Sequence, residues 1–348
     1  MLIERIEGKW IELFADVFRQ CGVQPGDPSA ILAESQSRPV LVELADLALQ
    51  RLGARPFRRV VPTPPLATMV PVRSTGASDA LRQLGPAIAA LKSSTFIVDL
   101  TVEGLLHSME LPEILSAGAR VLMISNEHPE ILERTRPDGT LEAKVRAGMR
   151  LLKAAKTMRV TSAAGTDLTI RLEGARIGGG WGTSTRPGSI THWPGGLCLA
   201  FPARGTVDGR LVMASGDANL TFKSYLRDTI ALTIVGDYIE AIEGAGVDAD
   251  LMRGYLASWG EREAYAVSHV GWGMNPGARW DALAFYDKRD CNATELRAFA
   301  GNFLYSTGAN EVAGRHTLGH FDLPLRGCTV ALDDKVIVEA GRLCAELA

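Results

Sequence analysis

The chain has 348 residues, of which 46% are hydrophobic, so it can bury substantial cores, and its length favours two domains over one. Its 37 basic and 40 acidic residues nearly cancel, and no cluster of Lys or Arg with interleaved aromatic residues occurs, which argues against a nucleic-acid partner. No apolar run is long enough to span a bilayer, so we expect a soluble globular protein with no membrane partner.

The first twenty residues (MLIERIEGKWIELFADVFRQ) carry charges throughout and place apolar residues at helical spacing. This pattern predicts an amphipathic helix rather than a secretion signal. The five cysteines are odd in number and widely scattered, and none forms a CxxC pair, so neither a disulfide framework nor a structural zinc site is expected. Cysteine usage therefore predicts a reducing, cytoplasmic setting.

Residues 28 to 157 alternate short apolar runs with helical patterns, from SAILAES through TFIVDL to ARVLMIS. That rhythm is typical of βαβ units and a parallel sheet. A helix predicted at 142–158 ends the series, and the chain then becomes rich in threonine, glycine and turn signals. One or two further helices are predicted there, such as 292–304. We predict an α/β domain with a parallel sheet over residues 1–157 and a mostly β domain over residues 158–348.

Several common functional motifs are missing from the sequence: GxGxxG, the Walker P-loop, HExxH and GxSxG. The glycine-rich segment GGGWGTS (178–184) lies in the β-rich region without a strand-to-helix switch. It therefore predicts a tight turn rather than a phosphate cradle.

The segment GRHTLGHFDLPLRGC (314–328) holds His316, His320 and Asp322 within a few positions. If HFDLPL is a strand, His320 and Asp322 point to the same face, about 7 Å apart along the chain, and could share one metal ion. A polar sheet edge with both side chains solvated or bonded to each other is the alternative, and the motif alone leaves it open. His316 is expected in a loop before the strand, either solvated or behind the ligands.

His269 lies in SHVGWGMNPGARW, whose glycines predict a loop that brings its backbone close to a ligand. A histidine beside an apolar strand can also be a hydrogen-bonded core residue. Added to His320 and Asp322, however, His269 completes two imidazoles and one carboxylate, the set that holds non-haem Fe(II) on one face and leaves positions open for substrate and O₂. The metal site would then lie in the mostly β domain.

These segments, HVGWGMNPGARW, AFAGNFLYSTG and HTLGHFDLPL, carry a resemblance that spans both predicted domains. The chain resembles the 2,5-dihydroxypyridine 5,6-dioxygenases, which are distant relatives of the M29 (aminopeptidase T-like) metallopeptidases. The resemblance implies Fe(II) as cofactor, held by His269, His320 and Asp322. It implies His107 as the catalytic base, and as residues of the substrate pocket His192, Arg297 and Ser306.

The implied reaction is an extradiol-type ring cleavage in which 2,5-dihydroxypyridine and O₂ give N-formylmaleamate, in nicotinate or nicotine degradation. A homo-oligomer is also expected.

His107 follows the apolar run TFIVDL, at the edge of the predicted parallel sheet where α/β domains collect ligands, so the pocket is expected between the domains. Trp193 and Trp272 neighbour proposed site residues and are candidates to wall a planar ring.

Simpler interpretations of the substrate residues stay open. Arg297 could be a helix-surface residue paired with Glu295, Ser306 a turn hydroxyl, and His192 the cap of a proline turn.

A metallopeptidase is the main alternative function. By the same resemblance, Leu197 stands where the peptidases have a metal-binding glutamate, and leucine cannot bind a metal. Loss of carboxylates favours one iron over two ions that activate a hydrolytic water. A binding module without catalysis is a third possibility.

Overall fold

The computed structural model describes residues 5–65, 77–124, 126–288 and 292–348. Cys291 and the first four residues of the predicted N-terminal helix lie outside these ranges. The helices are α1 (Gly8–Gln20), α2 (Pro39–Arg51), α3 (Gly85–Lys92), α4 (Leu111–Ser116), α5 (Pro129–Arg134), α6 (Gly139–Ala154), α7 (Val247–Ser258) and α8 (Thr294–Ala298). None of these described helices is both long and apolar enough to cross a membrane.

A parallel sheet of five strands organises the N-terminal part, in the order β2-β1-β3-β4-β8. Its strands are β1 (Pro28–Glu34), β2 (Arg55–Val61), β3 (Phe96–Leu100), β4 (Arg120–Met123) and β8 (Ser189–His192). Successive residues of β1 point to opposite faces: Ile31 packs with α1 and α2, whereas Ala30 and Leu32 pack with α3 and α4. The sheet is therefore covered by helices on both faces, as the continuous apolar runs of its strands predict.

Antiparallel sheets make up most of the C-terminal part. An eight-stranded sheet has the order β14-β13-β10-β6-β5-β18-β19-β20, and a five-stranded sheet has the order β17-β16-β15-β9-β7. Their strands are β5 (Thr157–Ser162), β6 (Asp167–Arg171), β7 (Arg176–Gly180), β9 (Leu197–Phe201), β10 (Val207–Met213), β13 (Ile230–Val235), β14 (Tyr238–Glu243), β15 (Val267–Gly273), β16 (Phe303–Thr307), β17 (Phe321–Leu325), β18 (Cys328–Leu332), β19 (Lys335–Glu339) and β20 (Arg342–Leu343). A two-stranded ribbon pairs β11 (Ala218–Asn219) with β12 (Ser224–Tyr225). One apolar core joins the two large sheets.

The strand β8 belongs to the parallel sheet although it follows residue 158, because Ser189–His192 pairs in parallel with β4. The chain thus returns to the N-terminal sheet before it completes the antiparallel ones. We keep the domain division near residue 158 as a proposal, with this one strand shared across it.

The two predicted helices differ from those observed. The helix expected at 142–158 runs from Gly139, where the Asp138 side chain accepts a hydrogen bond from the Leu141 N–H, and ends at Ala154, because the chain enters β5 at Thr157. The helix expected at 292–304 covers only α8 and gives way to β16. Phe299 already leaves the helical conformation, with a φ of −59° and a ψ of 140°. Gly301 keeps the helix from resuming: its φ of +87° is left-handed, and a Cβ there would lie 2.1 Å from the carbonyl oxygen of Gly341.

Strands take up part of two glycine-rich segments whose composition predicts a turn and a loop, whereas residues 181–184 lie outside any strand and Gly182 has a φ of +93°. Gly178–Gly180 lies in β7, where a Cβ on Gly179 would come within 2.8 Å of Val145 on α6. Gly271 and Gly273 lie in β15, where added Cβ atoms would come within 1.9 Å of the Cys198 oxygen and 2.2 Å of the Phe299 oxygen. These glycines allow close approach of neighbouring backbone or, at Gly179, of side chains on α6, which composition alone does not distinguish from a turn.

Candidate active site

A small cavity lies between the two parts of the molecule. The N-terminal part contributes Glu103, Leu106, His107 and Met123. His192 comes from β8, the strand that joins the parallel sheet, and the C-terminal part contributes Leu197, Leu199, His269, Asn292, Thr294, Arg297, Leu304, His320 and Asp322. Six of the seven residues singled out from the sequence line this one cavity, and the seventh, Ser306, contacts two of them.

The H-x-D pair sits at the start of β17. His320 immediately precedes the strand, and its Nε2 lies 3.2 Å from Oδ1 of Asp322. Phe321 and Leu323 point the other way into the core, so the alternation expected of HFDLPL holds. Ser306 lies directly opposite Asp322 on β16, and its hydroxyl bonds Oδ1 of that carboxylate.

His269 reaches the same point from β15. The pairing of β15 with β16 is irregular between Val267 and Val270, and such an irregularity re-aims a side chain out of the regular alternation. Nε2 of His269 lies 3.0 Å from Oγ of Ser306 and 3.7 Å from Oδ1 of Asp322. The antiparallel order β17-β16-β15 thereby gathers residues that are about fifty positions apart in the chain.

Ser268 determines which nitrogen of His269 carries the proton. The Ser268 hydroxyl donates its only hydrogen to the Ala309 carbonyl at 2.5 Å. Nδ1 of His269 lies 3.1 Å from the hydroxyl oxygen of Ser268. Nδ1 must therefore be the N–H donor, which leaves Nε2 with a lone pair facing Ser306 and Asp322.

Four polar atoms meet around Ser306: its own hydroxyl, Oδ1 of Asp322, and Nε2 of His269 and of His320. Its single hydroxyl hydrogen can satisfy either Oδ1 of Asp322 or Nε2 of His269, which both lie within hydrogen-bond distance, but not both. A hydrogen on Nε2 of His320 can satisfy Oδ1 of Asp322, and a cation at this point would take the place of that hydrogen and bind the same nitrogen and oxygen lone pairs. Two ligands at right angles on one ion, each bonded at ~2.1 Å, are ~3 Å apart, close to the separations that link Asp322 to the two imidazoles.

Arg297 on α8 orients the carboxylate of Asp322. Its Nε donates to Oδ2 at 2.5 Å, whereas Glu295 pairs with Arg134 and not with Arg297. Burial by itself raises the pKa of Asp322, but the Arg297 guanidinium and the neighbouring imidazoles outweigh burial and hold that pKa well below its ordinary value. Asp322 is therefore a carboxylate, the form that binds a metal.

His107 approaches from the loop after β3. The three imidazoles of His107, His269 and His320 offer nitrogen atoms that all lie within 4.8 Å of one another. Nε2 of His107 and Nδ1 of His320 are buried and have no hydrogen-bond partner within the described ranges. Burial lowers the pKa of His107 well below its usual value and that of His269 to about 3, so both rings are neutral and keep a lone pair.

His192 ends β8 at the edge of the cavity. Its Nδ1 lies 2.6 Å from the Pro194 carbonyl oxygen, so Nδ1 carries the hydrogen and Nε2 is an acceptor. Burial lowers the pKa of His192, which keeps the ring neutral. His192 therefore both binds the Pro194 carbonyl, as a cap of the proline turn would, and lines the cavity.

Comparison with known proteins identifies the family. A family model described as 2,5-dihydroxypyridine 5,6-dioxygenase matches residues 9–345. The chain is 36% identical over 338 residues to the 2,5-dihydroxypyridine 5,6-dioxygenase of Pseudomonas putida strain KT2440, with 96% of this chain and 95% of that protein covered. The chain belongs to the 2,5-dihydroxypyridine 5,6-dioxygenase family. Membership makes it an enzyme of the dioxygenase class and confirms the resemblance seen in the sequence.

Solved structures agree with this assignment. The structure of 2,5-dihydroxypyridine dioxygenase from Pseudomonas putida KT2440 matches this dioxygenase-family chain with a TM-score of 0.90 at 34% identity, covering 99% of this chain and 100% of that one. Wild-type AmpT from Thermus thermophilus matches with a TM-score of 0.62 at 14% identity, covering 97% and 99%, which is a likeness of fold alone. The predicted fold class, an α/β part with a parallel sheet followed by a mostly β part, is confirmed.

Four other residues discussed from the sequence of this dioxygenase-family chain lie in or near the site in sequence: Leu197, His316, Trp193 and Trp272. Leu197 lines the cavity and places an apolar side chain there. His316 is exposed, as predicted. Trp193 and Trp272 are fully buried in the cores of the two parts and are not among the side chains that line this cavity, so the expectation that they wall a ring is wrong.

Three further polar residues at the cavity carry no motif in the sequence. Glu103, Asn292 and Thr294 line it, and each lies in a loop or at a helix start whose position depends on long-range packing. Of the three, only Glu103 could have been suspected from the sequence, because it lies a few residues before His107 in the same loop.

Proposed function

We propose that this chain is an iron(II)-dependent, extradiol-type dioxygenase that uses O₂ to open 2,5-dihydroxypyridine between C5 and C6, giving N-formylmaleamate. The observation that carries the proposal is the buried meeting of His269, His320 and Asp322 in a chain of this family: Nε2 of each imidazole lies 3.2 to 3.7 Å from Oδ1 of the carboxylate. The relative from Pseudomonas putida bears the name of the same reaction.

The proposed iron ligands are His269, His320 and Asp322. Two imidazoles and one carboxylate form the facial set that suits non-haem Fe(II) and leaves positions open. Bound iron(II) would supply the oxygen chemistry that amino-acid side chains lack. Around it, Ser268 fixes the tautomer of His269, and Arg297 holds the second carboxylate oxygen of Asp322, so both ligands are oriented before any metal arrives.

The substrate would lie among the apolar side chains of Leu106, Leu199 and Leu304, with its polar groups toward the histidines. His107 is the proposed base. Its neutral ring and buried Nε2 suit it to take a proton from a ring hydroxyl. His192, with Nε2 as acceptor, would bind a hydroxyl or ring N–H of the substrate, and Ser306 and Arg297 would complete the pocket.

Uptake of O₂ tests this proposal directly. Iron(II)-reconstituted protein should consume about one O₂ per 2,5-dihydroxypyridine, with loss of the aromatic ultraviolet band, as measured with an oxygen electrode and a spectrophotometer. Asp322→Ala is the control and should consume none. Peptide cleavage restored by zinc or cobalt, without O₂ uptake on dihydroxylated pyridines, would instead support the metallopeptidase alternative.

We also propose that the enzyme acts in nicotinate or nicotine degradation, in the cytoplasm and as a homo-oligomer. The cysteine pattern supports a reducing compartment. Light scattering on the purified protein measures the mass of the assembly, and a mass of 37.4 kDa would contradict the oligomer.

A further inference from the structure

The short helix α8 depends on outside contacts for its position. It has five residues, and an isolated helix of that length is unstable in water, so its place is set by what its ends touch. It carries Arg297, whose guanidinium orients the proposed iron ligand Asp322. Whatever holds α8 therefore acts on the site.

Glu127, from the N-terminal part, holds the start of α8. The residue is fully buried, and its two carboxylate oxygens accept separate backbone hydrogen bonds: Oε1 from the Thr294 N–H at 2.7 Å and Oε2 from the Asn292 N–H at 3.1 Å. The first N–H groups of a helix have no partner within it, so a carboxylate is well suited to bind them. Asn292 and Thr294 are also part of the cavity wall.

A second contact from the same region steadies the side of α8. Arg134, on α5, donates to both carboxylate oxygens of Glu295, at 2.7 and 3.1 Å, and to the Gly277 carbonyl at 2.6 Å. Glu127 and Arg134 are seven positions apart, and together they bind two successive residues of α8 from across the boundary between the parts.

We propose that Glu127 is a positioning residue for the active site: its carboxylate fixes residues 292–294 and the first turn of α8, and through them places Arg297 against Asp322. The inference rests on the proposed function for its catalytic consequence, whereas its structural claim stands on the contacts alone. Glu127 itself is not among the side chains that line the cavity and acts only through α8.

Hydrogen exchange tests the structural claim without any turnover. Glu127→Gln keeps the size of the side chain but turns an amide NH₂ toward one of two N–H donors, so one bond is lost. We expect the amides of Asn292 and Thr294 to exchange at least ten times faster than in the wild type. Glu133→Gln is the matched control, since Glu133 is a half-exposed carboxylate on the neighbouring α5 that pairs with Lys9. Unchanged exchange in Glu127→Gln would overturn the inference.

A double-mutant cycle tests the action on Arg297. We expect Glu127→Gln to lower kcat/KM for O₂ uptake by about 10- to 100-fold, as for other groups that orient ligands. Combined with Arg297→Lys, the loss should be smaller than the product of the two single losses, because both act on one contact. Purely multiplicative losses would mean that Glu127 stabilises the fold without positioning Arg297, and would also overturn the inference.

Glu127→Asp serves if the Gln variant does not fold. It keeps both acceptor oxygens but is one methylene shorter, so we expect a smaller rise in exchange and the same less-than-multiplicative cycle. A wild-type protein that takes up no O₂ would refute the proposed function, and the exchange comparison would then decide the role of Glu127 by itself.

Discussion

At the scale of single residues, one serine hydroxyl prepares His269 for its proposed role. Ser268 has one hydrogen, which the Ala309 carbonyl accepts, so its oxygen accepts from Nδ1 of His269 and the lone pair of Nε2 faces the cavity. Groups of this kind fix the tautomer of metal-binding histidines and raise the affinity for the metal.

Ser268→Ala should weaken iron(II) binding by about 10- to 100-fold, because the His269 ring loses the acceptor that fixes its tautomer. Anaerobic titration with iron(II) measures the dissociation constant. His316→Ala, which changes an exposed histidine near the site in sequence, should leave the constant unchanged. Equal constants for wild type and Ser268→Ala would show that the tautomer does not depend on this hydroxyl.

Iron content separates the proposed ligands from the proposed base. His269→Ala, His320→Ala and Asp322→Ala should each lose iron and activity while the fold persists. His107→Ala should keep about one iron per chain yet lose about 10²- to 10⁴-fold in turnover, the usual effect of removing a general base. Elemental analysis of anaerobically purified protein measures the iron. Loss of iron from His107→Ala would make His107 a third nitrogen ligand, which its distance from the other imidazoles permits.

At the scale of elements, the end of β3 shapes the loop that carries His107. Asp99 is fully buried, and it accepts hydrogen bonds from the Thr101 N–H, the Thr101 hydroxyl and the Leu105 N–H. Burial raises the pKa of Asp99 to about 6, although these three bonds oppose the rise.

The pH dependence of stability should report this carboxyl. Because its folded pKa is raised, its stabilising contribution is complete below the unfolded pKa near 3.8 and is lost as pH rises through about 6. A shift of this size corresponds to about 3 kcal/mol in the free energy of unfolding. We therefore expect the wild type to lose stability relative to Asp99→Asn between pH 4 and pH 7.

Urea unfolding of both proteins across this range measures the difference. The exposed Asp334→Asn variant is the control and should follow the wild type at every pH. A constant difference between wild type and Asp99→Asn would contradict the raised pKa.

At the scale of the whole molecule, the site joins the two parts. His107 comes from the loop after the parallel sheet, whereas His269, His320 and Asp322 come from an antiparallel sheet. Strand β8 crosses between them and ends at His192. A metal held by the proposed ligands His269, His320 and Asp322 would stabilise the folded arrangement of β15 and β17.

Iron(II) at one hundred times its dissociation constant should raise the free energy of unfolding by about 2.7 kcal/mol, since it binds only the folded site. Anaerobic urea unfolding with and without iron measures the gain. Asp322→Ala should show none, and an equal gain in that variant would point to binding elsewhere.

The sequence by itself determined the features that depend on neighbouring residues. The apolar runs and helical patterns up to residue 157 predicted the parallel sheet, and the alternation in HFDLPL predicted that His320 and Asp322 share a face. Backbone periodicity sets both, because side-chain direction in a helix or strand follows from position alone. Ligand chemistry then suggested His269, and the family resemblance supplied the role of His107.

Only the tertiary structure decided how these pieces meet. The partner of Arg297 is Asp322 rather than the nearby Glu295. The proton on His269 is set by Ser268, whose hydroxyl binds Ala309 forty-one positions away, and β8 returns to the parallel sheet. Each outcome is a competition between a local partner and a distant one, and the distant one wins through burial and strand pairing. No local pattern records that competition, because its energy lies in contacts between segments far apart in the chain.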